Sequence, residues 1–98
     1  MIQLIEKARL ARNYIQDHEQ PLWKRVHNSL QAYSKLKFSG LPSSIKNEIE
    51  KSFASVNAIF SGYEINSFDD YQKIAADDLM EILNIVERLS TTIVNAEQ

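Results

Sequence analysis

The sequence predicts an all-α fold, a small antiparallel bundle of about four helices within a single domain spanning residues 1–98. Three observations predict it. Apolar residues recur three and four apart, the spacing of one helical face, in four successive segments. The only two glycines and two prolines, Pro21, Gly40, Pro42 and Gly62, cut the chain into pieces of nearly equal length. Finally, β-branched and aromatic residues nowhere alternate at period two for more than roughly three or four residues, which a half-buried strand requires.

The elements follow in order, with helices expected near 2–18, 21–39, 43–61 and 68–95. In the first, Leu4, Ala8, Ala11 and Ile15 share a face, flanked by Ile5 and Tyr14. The second runs from Pro21 to Gly40, because proline fits a first helical turn and glycine the left-handed position after a last one. Its stripe is Leu22, Trp23, Val26, Leu30, Tyr33 and Leu36. The third starts after Leu41-Pro42-Ser43-Ser44, lines up Ile45, Ile49, Phe53, Val56 and Phe60, and stops at Ser61-Gly62. The last opens on a short turn at Ser67, with Asp70 three residues on to complete a capping box. From there Ala75, Leu79, Ile82, Val86, Leu89, Ile93 and Ala96 form a heptad seam, which Leu83 and Ile85 widen. A seam this wide faces several neighbours, in a bundle interior or against a second protomer. The expected core joins Leu79, Ile82, Val86 and Leu89 to Val26, Leu30, Ile49, Phe53 and Val56.

Composition excludes several function classes. The hydrophobic share of 44% with 24% charged residues is that of a folding domain. With no cysteine, there is no disulfide framework, thiolate zinc site or Cys nucleophile. No apolar run approaches the roughly 18 residues of a membrane span, and the opening MIQLIEKARLARN lacks the apolar core of a signal peptide. A soluble cytoplasmic protein without a membrane partner is expected. His18 and His27 lack the paired ligands a zinc site needs, and there is no Gly-rich phosphate loop or nucleophile elbow. Neither metal nor cofactor is expected.

Charge is sorted by half. Residues 1–47 carry eight Lys/Arg against three Asp/Glu, net +5, and residues 48–98 carry three against ten, net −7. Such a split governs which partners approach rather than which fold forms. The acidic residues concentrate at Asp69, Asp70, Asp77, Asp78 and Glu81, with Lys73 among them. Carboxylates at a helix start are stabilised by its dipole, at roughly 0.3 to 1 kcal/mol each, so the cluster has a structural reading. It also has a functional one, a docking surface for a protein with a basic face. The basic half interleaves Lys7, Arg9, Arg12, Lys24, Arg25, Lys35 and Lys37 with Tyr14, Trp23, Tyr33 and Phe38, as single-strand binders do. Trp23 and Tyr33 nevertheless share the core stripe of Val26 and Leu30, and a sequence pI near 5.6 is far from that of a nucleic-acid binder. Direct nucleic-acid binding is not expected. Neutralisation of basic by acidic hairpins within one fold would account for the whole split.

Arg12-Asn13-Tyr14-Ile15-Gln16-Asp17-His18 is similar, over seven residues, to the Arg-Asn-x-x-x-x-His element of HEPN ribonucleases, which are small all-helical proteins. The resemblance implies that Arg12 and His18 handle the scissile phosphate and the 2′-hydroxyl, with Asn13 orienting. The family places this element on a late helix at a dimer seam, whereas here it lies on the first. Residues six apart on a straight helix point about 120° from each other, so Arg12 and His18 converge only if the helix ends before Pro21. The other reading is an exposed basic helix ending in a polar turn.

The expected function is therefore non-enzymatic. It is a protein-binding module, most concretely a small stoichiometric inhibitor of the immunity, antitoxin or anti-defence kind, blocking a basic surface of its target through the acidic face. A subunit that self-associates through the last helix is the alternative, and a HEPN-like RNase the further one.

Overall fold

A computed structural model of the protein describes residues 1–96. The described residues form a small all-α bundle of four α-helices and one 3₁₀ turn: α1 (Ile2–Ile15), α2 (Leu22–Gln31), α3 (Ser43–Phe60), the 3₁₀ turn Phe68–Lys73, and α4 (Ala76–Asn95). The bundle is organised around α4, which packs on α1, α2 and α3, while α3 meets no other helix among the described residues. Its width explains this position. Leu79, Ile82, Val86, Leu89 and Ile93 are buried along the seam, and Leu83 and Ser90 are buried beside it. That face is too broad for one neighbour, and each such aliphatic side chain gains about 1.5–3 kcal/mol on burial. Ala75 and Ala96, the ends of the expected heptad seam, are exposed.

Opposite α4, α1 buries Leu4, Ile5, Ala8, Ala11 and Ile15. The two alanines let α1 and α4 approach closely, which compensates for their small apolar area. The helix ends at Ile15 rather than near 18, and the Arg25 guanidinium caps that end. Its Nε donates to the Ile15 carbonyl at 3.0 Å, and its Nη2 donates to the same oxygen. A cation from α2 thus satisfies an orphan carbonyl at the negative end of α1 and fixes the α1–α2 hairpin. Pro21 occupies the N-cap of α2, with extended backbone, instead of its first turn.

The second helix departs most from expectation. It ends at Gln31, with a turn over residues 32–35, instead of continuing to Gly40. Leaving the helix lets Tyr33 enter the core, where it is 4% exposed and its hydroxyl lies 2.6 Å from Ser90 Oγ. Ser90 in turn donates to the Val86 carbonyl at 2.7 Å, so this polar pair is satisfied inside an apolar core. The turn places Lys35 at φ 58°, the only left-handed residue with a side chain among those described. Such a conformation costs roughly 1–2 kcal/mol, so the rest of the fold must hold it in place. Gly40, at φ 80°, serves a separate turn in which the Leu41 amide donates to the Phe38 carbonyl. Of the nine residues expected in the core, seven are buried. Leu30 and Phe53 are half-buried, the former at the end of the shortened α2 and the latter edge-on to Tyr33 at 5.7 Å.

Burial pushes the Tyr33 phenol up to about 12, against a smaller opposing effect of the Ser90 hydrogen bond. The unfolded phenol ionises near pH 10, so this stabilisation is complete below about pH 10 and is lost as pH rises towards the folded value. We expect an alkaline stability limb of about 2–3 kcal/mol from Tyr33 alone. In urea melts at about pH 9 and about pH 11, Tyr33→Phe should fall less between the two than the wild type. An unchanged limb would assign the effect to Tyr63 and Tyr71, whose phenols are also raised.

Candidate functional site

The expected last helix, near 68–95, is broken at Ile74 and Ala75, and this break organises the acidic region. Ile74 is extended, with ψ 134°, and its side chain is buried at 4% exposure. The Tyr63 hydroxyl accepts a hydrogen bond from the Ala75 amide at 3.1 Å and donates to Asp78 Oδ2. One phenol therefore caps the start of α4 and joins it to the loop after α3. Donation to the Asp78 carboxylate is the leading cause that raises the Tyr63 phenol.

Asp70 is likewise committed within the chain. Ser67 and Asp70 form the capping box that the sequence suggests. The Asp70 carboxylate accepts from the Asn66 amide at 2.8 Å and the Ser67 amide at 3.1 Å, and pairs with Lys73 Nζ at 3.0 Å. The Asn66 amide first, then Lys73 and the Ser67 amide, hold this carboxyl below the usual carboxylate range. Its contribution to the turn is present above the unfolded carboxylate pKa and is lost as pH falls through the lower folded value.

The five acidic residues thus divide into two kinds. Asp70 and Asp78 are half-buried and hold the frame, whereas Asp69, Asp77 and Glu81 are exposed. On α4 the core face takes Leu79, Ile82, Leu83 and Val86, which leaves Asp77, Met80, Glu81, Asn84 and Glu87 along the solvent side, with one cation, Arg88, beyond them. Met80 is 45% exposed on the same side of the helix, beside the line of Asp77 and Glu81. The outer stripe of α4 therefore combines negative charge with one flexible apolar side chain.

An aromatic cluster fixes the 3₁₀ turn against α2. His27 stands edge-on between Phe68, at 4.2 Å, and Tyr71, at 5.0 Å, and Trp23 lies 4.9 Å from Phe68. Trp23 and His27 are thus packing residues, and Lys24 Nζ sits 5.4 Å above the indole. Sequence reasoning missed His27 in this role because its contacts come from residues more than forty positions away. The arginine of the HEPN-like element lies on α1 and its histidine beyond the helix end, which is the early end that convergence of the two requires. Arg12 is half-buried on the helix, and His18 is exposed in the turn before Pro21.

The basic half directs two of its cations to carbonyls. Lys7 Nζ donates to Ser34 O at 2.8 Å, and Arg25 caps α1 as described above. A separate groove of about 530 Å³ runs between α3 and α4, with Glu48 and Lys51 on one wall, Glu87 and Arg88 on the other, and Ile85 and Leu89 among its lining residues. Among the described residues, no group of three or more His, Asp or Glu is placed to hold a metal ion. Comparison with family models, with curated proteins and with solved structures finds no match to this chain.

Proposed function

We propose that the chain is a non-enzymatic protein-binding module that occludes a basic surface of its target, as a stoichiometric inhibitor acting in the cytoplasm would. The observation that carries this reading is the outer stripe of α4, where the exposed Met80 stands beside the line of Asp77 and Glu81. Such a stripe suits recognition by charge around an adaptable apolar contact. Asp69 on the neighbouring 3₁₀ turn extends the negative field, while Asp70 and Asp78 hold the two elements that present it. The helix dipole favours Asp77 but does nothing for Glu81 beyond the first turn, so dipole stabilisation alone leaves part of the cluster unexplained. The test is parallel capture from the source lysate at low salt, using immobilised wild type and Asp77→Lys/Glu81→Lys. A protein retained by the first, lost from the second and rebound when purified supports the reading. Equal retention by both overturns it.

A second reading rests on the groove between α3 and α4, where Glu48 and Lys51 face Glu87 and Arg88. Each wall carries one charge of each sign, as a self-complementary interface between two copies requires. Self-association through α4 then gives a dimer in sedimentation at roughly tens of micromolar, and a monomer there eliminates it.

A further inference from the structure

We propose that the end of the molecule built from the start of α1 and residues 35–41 docks on an anionic membrane surface. The Lys7 to Ser34 hydrogen bond ties the segment after α2 against α1 and brings two distant stretches of chain together. Between them lies a cavity of about 370 Å³ lined by the apolar side chains of Ile2, Leu4, Leu36 and Leu41 and by three lysines, Lys7, Lys35 and Lys37, with no carboxylate. Two of the six large apolar side chains exposed on the described residues line it, Ile2 at 76% and Met1 at 38%, and the exposed Phe38 stands in the chain between its lining residues Lys37 and Ser39.

Charge chooses the occupant. A wall with three ammonium groups and no acid calls for an anionic partner, and juxtamembrane lysines gain from the negative potential of anionic lipid headgroups. Apolar chemistry then selects lipid over nucleic acid. An aliphatic side chain as exposed as Ile2 gains nothing from a phosphate backbone, but it is removed from water at the headgroup–acyl boundary. Either signal alone gives only marginal binding, since stable surface anchoring takes an apolar anchor together with a basic patch. No helix among the described residues is long and apolar enough to cross a membrane, and surface docking requires none. The left-handed Lys35 is the second structural pointer. A glycine would meet that backbone without strain, yet the position carries an exposed lysine beside the cavity.

The test is co-sedimentation of the full chain with phosphatidylcholine vesicles, with and without about one-third phosphatidylglycerol. The proposal expects binding to the anionic vesicles only, lost as NaCl rises to about 0.5 M. Lys35→Glu/Lys37→Glu should lower the partition coefficient more than about tenfold, and Ile2→Ser about tenfold, since both alter exposed positions. Lys35→Gly separates function from folding, because it should melt within a few degrees of the wild type and still bind about fivefold more weakly. Absence of binding, equal binding to neutral vesicles, or unchanged binding by these variants overturns the proposal. Binding of a single-stranded oligonucleotide through the same lysines, with vesicles left unbound, overturns it in favour of a nucleic-acid site.

Discussion

Ile82→Ala should lower the unfolding free energy by about 2–5 kcal/mol, the cost of lost burial plus the cavity left behind. Ile82 is fully buried on the face of α4 that meets the other helices, inside the one core cluster that the described residues form. Against a total of about 5–15 kcal/mol for a domain of this size, the variant would melt roughly 10–30 °C earlier. Val86→Ala, at a position 1% exposed, should follow with a smaller loss. Met80→Ala on the opposite side of the same helix should stay within about 0.5 kcal/mol of the wild type. Urea denaturation of the three variants checks the ranking. Wild-type-like stability of Ile82→Ala would contradict the packing of α1, α2 and α3 around α4.

The second large effect concerns association rather than folding. Asp77→Lys/Glu81→Lys reverses the exposed charge of α4 while leaving Asp70 and Asp78 to hold the 3₁₀ turn and the helix start. Replacing the favourable Asp77–dipole interaction by an unfavourable lysine one should cost about 1–2 kcal/mol in all, less than the stability of an ordinary domain, so the variant remains folded. Its association rate with a basic partner should fall by about 10- to 1,000-fold at low salt, the range over which steering acts. Surface plasmon resonance with matched melting curves distinguishes this from misfolding. Asp78→Asn makes the contrast. It weakens the Tyr63 contact and should destabilise the start of α4 while changing the association rate little.

How far these features are legible in the sequence depends on whether their causes are local. The bounds of α3 are, because Pro42 and Ser61-Gly62 act on their own neighbours, and the helix runs Ser43–Phe60 between them. The Ser67–Asp70 capping box is local too. The end of α2 is not, because Tyr33 leaves the helix to reach Ser90, fifty-seven residues away. Gly40 marks a real turn but not that helix end. The break at Ile74 depends similarly on Tyr63, whose phenol meets the backbone of Ala75 and the side chain of Asp78. In the acidic cluster, composition reveals the charge, and the capping box reveals one of the two structural carboxylates. Only the fold separates Asp78 from its exposed neighbours Asp77 and Glu81. The aromatic contacts of His27 follow from the approach of the 3₁₀ turn to α2, which no spacing along the chain encodes.

An acidic stripe of α4 that acts between molecules is separated by salt from one that is merely solvated surface. The decisive measurement is the association rate of the protein with its captured partner as NaCl rises from about 0.05 to about 0.5 M, recorded beside the dissociation rate. A steered complex loses association rate steeply over this range, while the contacts formed around Met80 keep the dissociation rate nearly constant. An association rate flat in salt would contradict the account and leave Asp69, Asp77 and Glu81 as solvated surface.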